Sequence, residues 1–184
     1  MLIRILDFLL AATGIILVLP IMLLIVVAGI FDTGSPVFLQ SRLGKEKKTF
    51  TLIKFRTMHV STVSAGTHLV DAASVTIFGG FLRKTKLDEL PQLFNVLQGN
   101  MSIVGPRPCL VSQNELIEER ARRNVFSVKP GITGLAQIHA VDMSTPRKLA
   151  RYDQLMIKEM SLRVYGWLII ATVFGAGQGD RVSL

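Results

Sequence analysis

Apolar and polar positions fall into three regimes along the chain. The first is a run from Phe8 to Phe31 that contains no charged residue and is long enough to cross a hydrocarbon core as a helix. Asp32-Thr33-Gly34-Ser35-Pro36 closes it; the run is too long for a signal peptide and this sequence is not a small-residue cleavage site, so residues 1–33 read as a membrane element. Pro20 sits mid-run, where it removes a backbone hydrogen bond, clashes with the carbonyl four residues back and bends the helix. Two courses fit this pattern: a single span, or a helix that enters, breaks at Pro20 and returns to the same face.

The second regime is short and β-like. Val37-Phe38-Leu39-Gln40 and Phe50-Thr51-Leu52-Ile53-Lys54-Phe55 predict two strands joined by a basic loop. Residues 59–76 are small and polar without a period and read as a mobile loop. The third regime is helical. Leu87, Leu90, Leu93, Phe94 and Leu97 recur three or four apart, which predicts a central helix with one buried face. Starting it near Asp88 keeps Pro91 in the first turn, where proline is tolerated. Gln98-Gly99-Asn100 stops this helix, Ser102-Ile103-Val104 predicts a short strand, and Gly105-Pro106-Arg107-Pro108 a rigid turn. Further helices are expected from Asn114 to Arg123 and from Thr145-Pro146 to about Met160, with a loop at Val128–Gly134 and a strand at Leu135–Ile138 between them. Val164–Ala176 is apolar but too short to span a bilayer, and suits either the core or an interfacial position with Trp167 at headgroup depth. The sum is an α+β, predominantly helical chain. At 184 residues it is expected to form one domain, with residues 34–184 as the body behind the membrane element.

Composition narrows the partners. Hydrophobic residues make up 49% and charged ones 18%, apolar for a soluble protein, and the net charge of +8 calls for a polyanion. Basic residues are not interleaved with aromatics, which argues against nucleic acid and leaves nucleotide phosphates or anionic membrane lipids. Arg42, Lys45, Lys47, Lys48, Lys54 and Arg56 follow the membrane run, which places the body on the cytoplasmic side by the positive-inside rule. Each cation near the surface contributes about 1 kcal/mol toward anionic headgroups. Cys109 is the only cysteine and reads as a small buried hydrophobe; His59 and His68 have no partners at metal-ligand spacing.

The candidate chemistry lies between Leu82 and Pro108, where Asp88-Glu89 stands among Arg83, Lys84, Lys86 and Arg107. Consecutive helical side chains diverge by roughly 100°, so the two carboxylates cannot share one task. One can attack phosphorus while the other holds Mg2+, and guanidinium groups match phosphate with paired hydrogen bonds. A structural reading competes: Thr85-Lys86-Leu87-Asp88 matches a capping box, in which Asp88 merely satisfies backbone N–H groups.

LRKTKLDELPQLFNVLQGNMSIVGPRP, with SPVFLQSRLGKEKKTFTLIKFRTM upstream and KPGITGLAQI downstream, resembles the bacterial sugar transferases, the monotopic phosphoglycosyl transferases. The resemblance implies an enzyme of the bacterial inner membrane, its catalytic part on the cytoplasmic face. Its reaction would be transfer of a phosphosugar from a UDP-sugar to polyprenyl (undecaprenyl) phosphate, with release of UMP, at the start of glycoconjugate assembly. It further implies that Asp88 is the nucleophile, forming a covalent phosphosugar intermediate, and that Glu89 is the Mg2+ ligand. Arg83 would bind phosphate and Arg107 would lie near the nucleotide, while Lys54, Arg56 and Gln137 would have a general substrate role. The family's re-entrant helix breaks at a proline, which Pro20 matches. Ser74, Gly80, Lys86, Asn100 and Tyr165 depart from the family pattern. No stretch encodes the sugar or an oligomeric state. A membrane phosphatase or pyrophosphatase, and a noncatalytic membrane scaffold, are the rival readings.

Overall fold

The computed structural model describes residues 2–62 and 72–174. Helix α1, Leu2–Thr33, is a single 32-residue element with Pro20 inside it, the helical segments on either side joining without a loop. Its apolar residues are not equivalent. Asp7, Ala11, Gly14, Val18, Met22, Ile25 and Gly29, three or four apart, form one buried or half-buried stripe against the body. The opposite face leaves Ile16, Leu17 and Leu24 more than 70% exposed, which a helix can sustain in contact with lipid but not with water. Among the described residues this is the one helix long and apolar enough to cross a membrane.

Strand β1, Val37–Leu43, pairs antiparallel with β2, Thr49–Phe55, in a register from Val37 opposite Phe55 to Leu43 opposite Thr49. Both strands are longer than the sequence pattern indicates, because pairing extends the ladder into the basic loop. That loop tightens into a 3-10 turn at Lys45–Lys47. The segment read as a mobile loop holds some order: Met58 bridges Val75, Ala72–Ser74 is a 3-10 turn, and Ser74 O accepts from His59 N at 3.0 Å. His68 and its neighbours lie outside the described residues.

Helix α2, Ile77–Thr85, was not foreseen, because Gly79-Gly80 in mid-helix costs about 1 kcal/mol per glycine relative to alanine. Two features offset this. Thr76 Oγ1 accepts from Gly79 N at 2.8 Å as an N-cap, and a Cβ on Gly79 would meet Thr57 O at 2.1 Å, so only glycine lets α2 approach β2's exit. Helix α3, Gln92–Leu97, starts four residues later than expected, with Pro91 at its N-cap position. Asn95, fully buried, joins it to β2: its Oδ1 accepts from Ile53 N at 3.0 Å and its Nδ2 donates to Thr51 O at 2.8 Å.

Strand β3, Ser102–Val104, pairs in parallel with β4, Gly131–Thr133, which lies inside the expected Pro/Gly loop. Helix α4, Asn114–Arg122, and helix α6, Pro146–Lys158, match their sequence patterns, the latter with proline in its first turn. Leu135–Ile138 is a single helical turn, α5, and not a strand. Over four residues the two periods cannot be told apart, and the facing edge of β4 is already paired with β3. Helix α7, Leu162–Val173, buries Tyr165 and Leu168 and leaves Trp167, Ile170 and Val173 at least half exposed, so it serves the core on one face and an apolar surface on the other. Cys109 is fully buried.

Both ends of α1 are bonded to the same body. Near its start, Arg4 donates to Val96 O and Leu97 O at the C-terminus of α3, at 2.5 and 2.9 Å. Asp7 Oδ1 accepts from Ser102 Oγ at 2.9 Å, Ile103 N at 2.8 Å and Tyr165 Oη at 2.8 Å. Near its end, Asp32 Oδ2 accepts from Thr76 Oγ1 at 2.7 Å, and Gly29 packs so closely on Pro36 that a Cβ would lie 2.8 Å from the ring. Tyr165, which departs from the family pattern, is thereby a fastener of the N-terminal helix.

Candidate active site

Asp88 and Glu89 lie on a 3-10 turn, Leu87–Glu89, wedged between α2 and α3. The turn is aimed by Lys86, which ends α2 in the left-handed conformation at φ 59°, roughly 1 kcal/mol or more uphill for a residue with a Cβ. The capping box is not formed. Thr85 Oγ1 bonds back to Phe81 O and Leu82 O at 2.9 and 3.2 Å, and no side chain caps the 3-10 turn. Thr85 is therefore not the cap that this reading required.

Asp88 is 7% exposed. Its carboxylate is thus largely withdrawn from water, on the same turn as Glu89. Glu89 Oε1 receives two cations at once: Lys54 Nζ at 3.3 Å from β2, and an Arg107 guanidinium nitrogen at 2.7 Å from the Pro-Arg-Pro turn. All three side chains are mostly withdrawn from water, which strengthens their mutual attraction relative to a surface pair. Two further arginines, Arg120 and Arg42, hold this turn in place. Pro106 and Pro108 bring carbonyls without N–H donors, and each carbonyl from Pro106 to Pro108 accepts a bond. Gly131 N donates to Pro106 O at 3.0 Å, Arg120 Nη1 to Arg107 O at 2.8 Å, and Arg42 Nη1 to Pro108 O at 3.1 Å. Arg120 in turn is paired with Asp153 of α6 at 2.7 Å, both only 2% exposed at the side chain. Burial pushes the Asp153 carboxyl up from its ordinary range, against the lowering effect of the Arg120 charge and its hydrogen bond.

Of the residues singled out in the sequence, the structure unites Lys54, Glu89 and Arg107 and puts Asp88 beside them. Arg83, in the last turn of α2, donates from Nε to Thr57 Oγ1 at 2.8 Å. Arg56 and Gln137 are engaged elsewhere. Arg56 donates to Ser35 O at 2.8 Å and lies over the Phe38 ring, bracing the exit of α1. Gln137 donates to Ile132 O at 2.8 Å, while its own amide oxygen is buried without a donor. The supporting roles of Arg42, Arg120 and Asp153 could not be read from the sequence, since their partners are backbone carbonyls and a helix far along the chain.

No group of three or more His, Cys, Asp or Glu residues that could hold a metal occurs among the described residues. Two adjacent carboxylates are compatible with magnesium only as a site completed by phosphate oxygens and water, the way that ion is commonly held.

Comparison with known proteins identifies the family. The family model of the bacterial sugar transferases matches residues 1–178. A UDP-glucose:undecaprenyl-phosphate glucose-1-phosphate transferase of Klebsiella pneumoniae is 41% identical over 185 residues, covering 93% of this chain and 39% of the relative. A UDP-N-acetylgalactosamine-undecaprenyl-phosphate N-acetylgalactosaminephosphotransferase of Aeromonas hydrophila is 37% identical over 179 residues, 91% of this chain and 41% of the relative. An uncharacterized sugar transferase of Bacillus subtilis is 53% identical over 108 residues, 58% of this chain and 52% of the relative. The chain thus spans well under two thirds of the length of these relatives. With the family model running from the membrane helix through α7, the chain belongs to the bacterial sugar transferase family.

Proposed function

We propose that the chain transfers a phosphosugar from a UDP-sugar to undecaprenyl phosphate at the cytoplasmic face of the inner membrane, releasing UMP. The observation that carries this reading is the buried Asp88 next to a Glu89 clamped by Lys54 and Arg107, on a body whose neighbouring helix presents an apolar face. Relatives named for UDP-sugars and undecaprenyl phosphate support the substrate classes. In the first step an Asp88 carboxylate oxygen attacks the phosphorus that bears the sugar, and the bond from that phosphorus to UMP breaks. In the second, a phosphate oxygen of the lipid attacks the same phosphorus, freeing Asp88 and leaving the sugar on a lipid diphosphate. Dividing the reaction lets two anionic substrates use one site in turn.

Lys54, Arg83 and Arg107 bring fixed positive charge to a diphosphate donor and offset its repulsion by a carboxylate nucleophile. Magnesium, held by Glu89 with the donor's phosphate oxygens, would add charge neutralisation there. Lys54 and Arg107 both meet a single Glu89 oxygen and hold that carboxylate in one orientation.

A re-entrant course for α1 goes with this reading. A straight helix of 32 residues is roughly 48 Å long, against about 30 Å of hydrocarbon. A true span would carry Arg4 and Asp7 away from a body lying on one side, whereas their partners are α3, β3 and α7. A helix bent at Pro20, with both ends on one face, keeps those bonds.

The test is UMP release by the purified protein from a panel of UDP-sugars, with and without polyprenyl phosphate. Acceptor-dependent release supports transfer, and equal release without acceptor indicates a phosphatase. Asp88→Asn is expected to abolish both turnover and the trapped phosphosugar adduct; an undiminished adduct in that variant would sink the assignment of the nucleophile.

A further inference from the structure

At the far end of α3 from the Asp88 turn, a cavity of about 400 Å³ opens between the first turns of α1, the 3-10 turn at Lys45, the loop before β4, and α6 with α7. None of Asp88, Glu89, Lys54, Arg83 or Arg107 lines it. Its walls have two characters. Ile3, Val104, Met156 and Met160 give an apolar floor, and Arg4, Lys45 and Lys129 bring three cations to the rim.

The cations are crowded. A Cβ on Gly99 would lie 3.3 Å from a guanidinium nitrogen of Arg4 and 3.5 Å from Lys129 Nζ, so these two tips converge over one glycine. The carboxylate that lines the same cavity, Asp7, is taken up by Ser102, Ile103 N and Tyr165, three donors without charge. Glu46 is drawn outward to Lys48 at 2.9 Å and lies 3.9 Å from Lys45. Lys129 therefore lies beside Arg4, with Lys45 on the same cavity, and Asp7 and Glu46 are the carboxylates near these three cations. Burial, reinforced by the Arg4 charge, holds the Lys129 ammonium below its ordinary range. Converging cations beside a cavity form an arrangement that an anion would stabilise. Leu2, Ile5 and Phe8, about half exposed on the adjoining turns of α1, set the cavity's mouth beside the apolar face of that helix.

We infer that this cavity is a second phosphate site, separate from the dyad, in which Arg4, Lys45 and Lys129 hold a phosphate group and the apolar floor accepts hydrocarbon. An anionic phospholipid headgroup and a free phosphate share this chemistry, and the floor of Ile3, Val104, Met156 and Met160 favours the lipid. The site does not depend on the transfer reaction, because binding is read without turnover.

The purified full chain, in a zwitterionic detergent, is titrated with short-chain phosphatidylglycerol, short-chain phosphatidylcholine and inorganic phosphate while the thermal midpoint is followed. Phosphatidylglycerol is expected to raise the midpoint saturably and phosphatidylcholine to leave it unmoved. A midpoint for inorganic phosphate at tenfold or more higher concentration assigns the apolar floor to acyl chains; equal midpoints assign the site to free phosphate. Lys129→Gln should weaken the binding at least tenfold, Lys129→Arg should retain it, and Lys148→Gln, a cation exposed on α6, should behave as the parent. Without ligand, Lys129→Gln should be no less stable than the parent, since it relieves repulsion by Arg4; this separates a binding role from a structural one. Unchanged affinity in Lys129→Gln, equal response to phosphatidylcholine, or no response to either phosphate compound overturns the inference.

Discussion

Two carboxylates, Glu89 and Asp7, are both withdrawn from water, and the protein holds them in opposite ways. Glu89 meets two full positive charges, Lys54 and Arg107, on one oxygen. Asp7 meets a serine hydroxyl, a tyrosine hydroxyl and a backbone N–H, all neutral. Neutral donors satisfy a buried carboxylate without adding charge, so Asp7 itself is a joint, even though Arg4, Lys45 and Lys129 line the cavity beside it. Cationic partners leave the region around Glu89 net positive once Lys54, Arg83 and Arg107 are set against Asp88 and Glu89, and so receptive to a diphosphate. The difference between fastening and binding is written in the charge of the partners and not in the burial of the acid.

This contrast can be broken from either side. Removing the charge at the clamp should have the largest effect: Glu89→Gln is expected to lower UMP release by about 10²- to 10³-fold, the scale of losing one electrostatic contact in a preorganised site. Its thermal midpoint should fall, because the amide no longer neutralises Lys54 and Arg107, while the fold is retained; loss of the folded state would instead make Glu89 a structural residue. At the joint the main effect should be on stability. Asp7→Ala leaves the donors of Ser102, Ile103 and Tyr165 without their acceptor and should cost about 3 kcal/mol in denaturant unfolding, given the usual worth of hydrogen bonds to a charged group. A loss within a few tenths of a kcal/mol would show that α1 is held by packing alone.

A finer cut removes one donor. Tyr165→Phe should cost about 1–2 kcal/mol and leave activity intact. It should also change the alkaline limb of the stability curve. Burial, then the hydrogen bond and charge of Asp7, push the Tyr165 phenol well above its ordinary value of 10.0. The unfolded chain releases this proton near pH 10 while the folded chain keeps it, so the unfolded state binds fewer protons above that pH and stability falls as pH rises. Below about pH 10 the contribution is fully present. The parent should therefore lose stability above pH 10 more steeply than Tyr165→Phe, and parallel curves would contradict the arrangement around Asp7.

The Asp88-Glu89 pair and Arg107 could be singled out in the sequence because they stand in a compact motif whose residue types suit an anion, and Lys54 only through the resemblance to the family. Their supports could not. Arg120 and Asp153 are 33 positions apart, Arg42 and Pro108 are 66 apart, and one member of the second pair is a carbonyl that any residue carries. Asp7 stands in no motif, and only the fold supplies the tyrosine and serine that make it a joint. At the level of elements, the long period of α1 and α6 was readable. Helix α2 was hidden by Gly79-Gly80, and α5 by being one turn long. Local pattern thus singled out the candidate residues, while tertiary contact decided what surrounds them.

The bond between Tyr165 and Asp7 joins positions 158 residues apart, and the bonds of Arg4 and Asp7 to α3 and β3 close loops of 92 to 96 residues. During synthesis the apolar helix emerges before the body it packs on and waits, for roughly 8–30 s at ordinary elongation rates, until the tyrosine that fastens it has been made. Throughout that interval the lipid-facing side can already be in place while the stripe from Asp7 to Gly29 has no body to cover it. Folding of this protein is consequently an ordered event in time, in which an anchored helix serves as the template on which a much later segment closes.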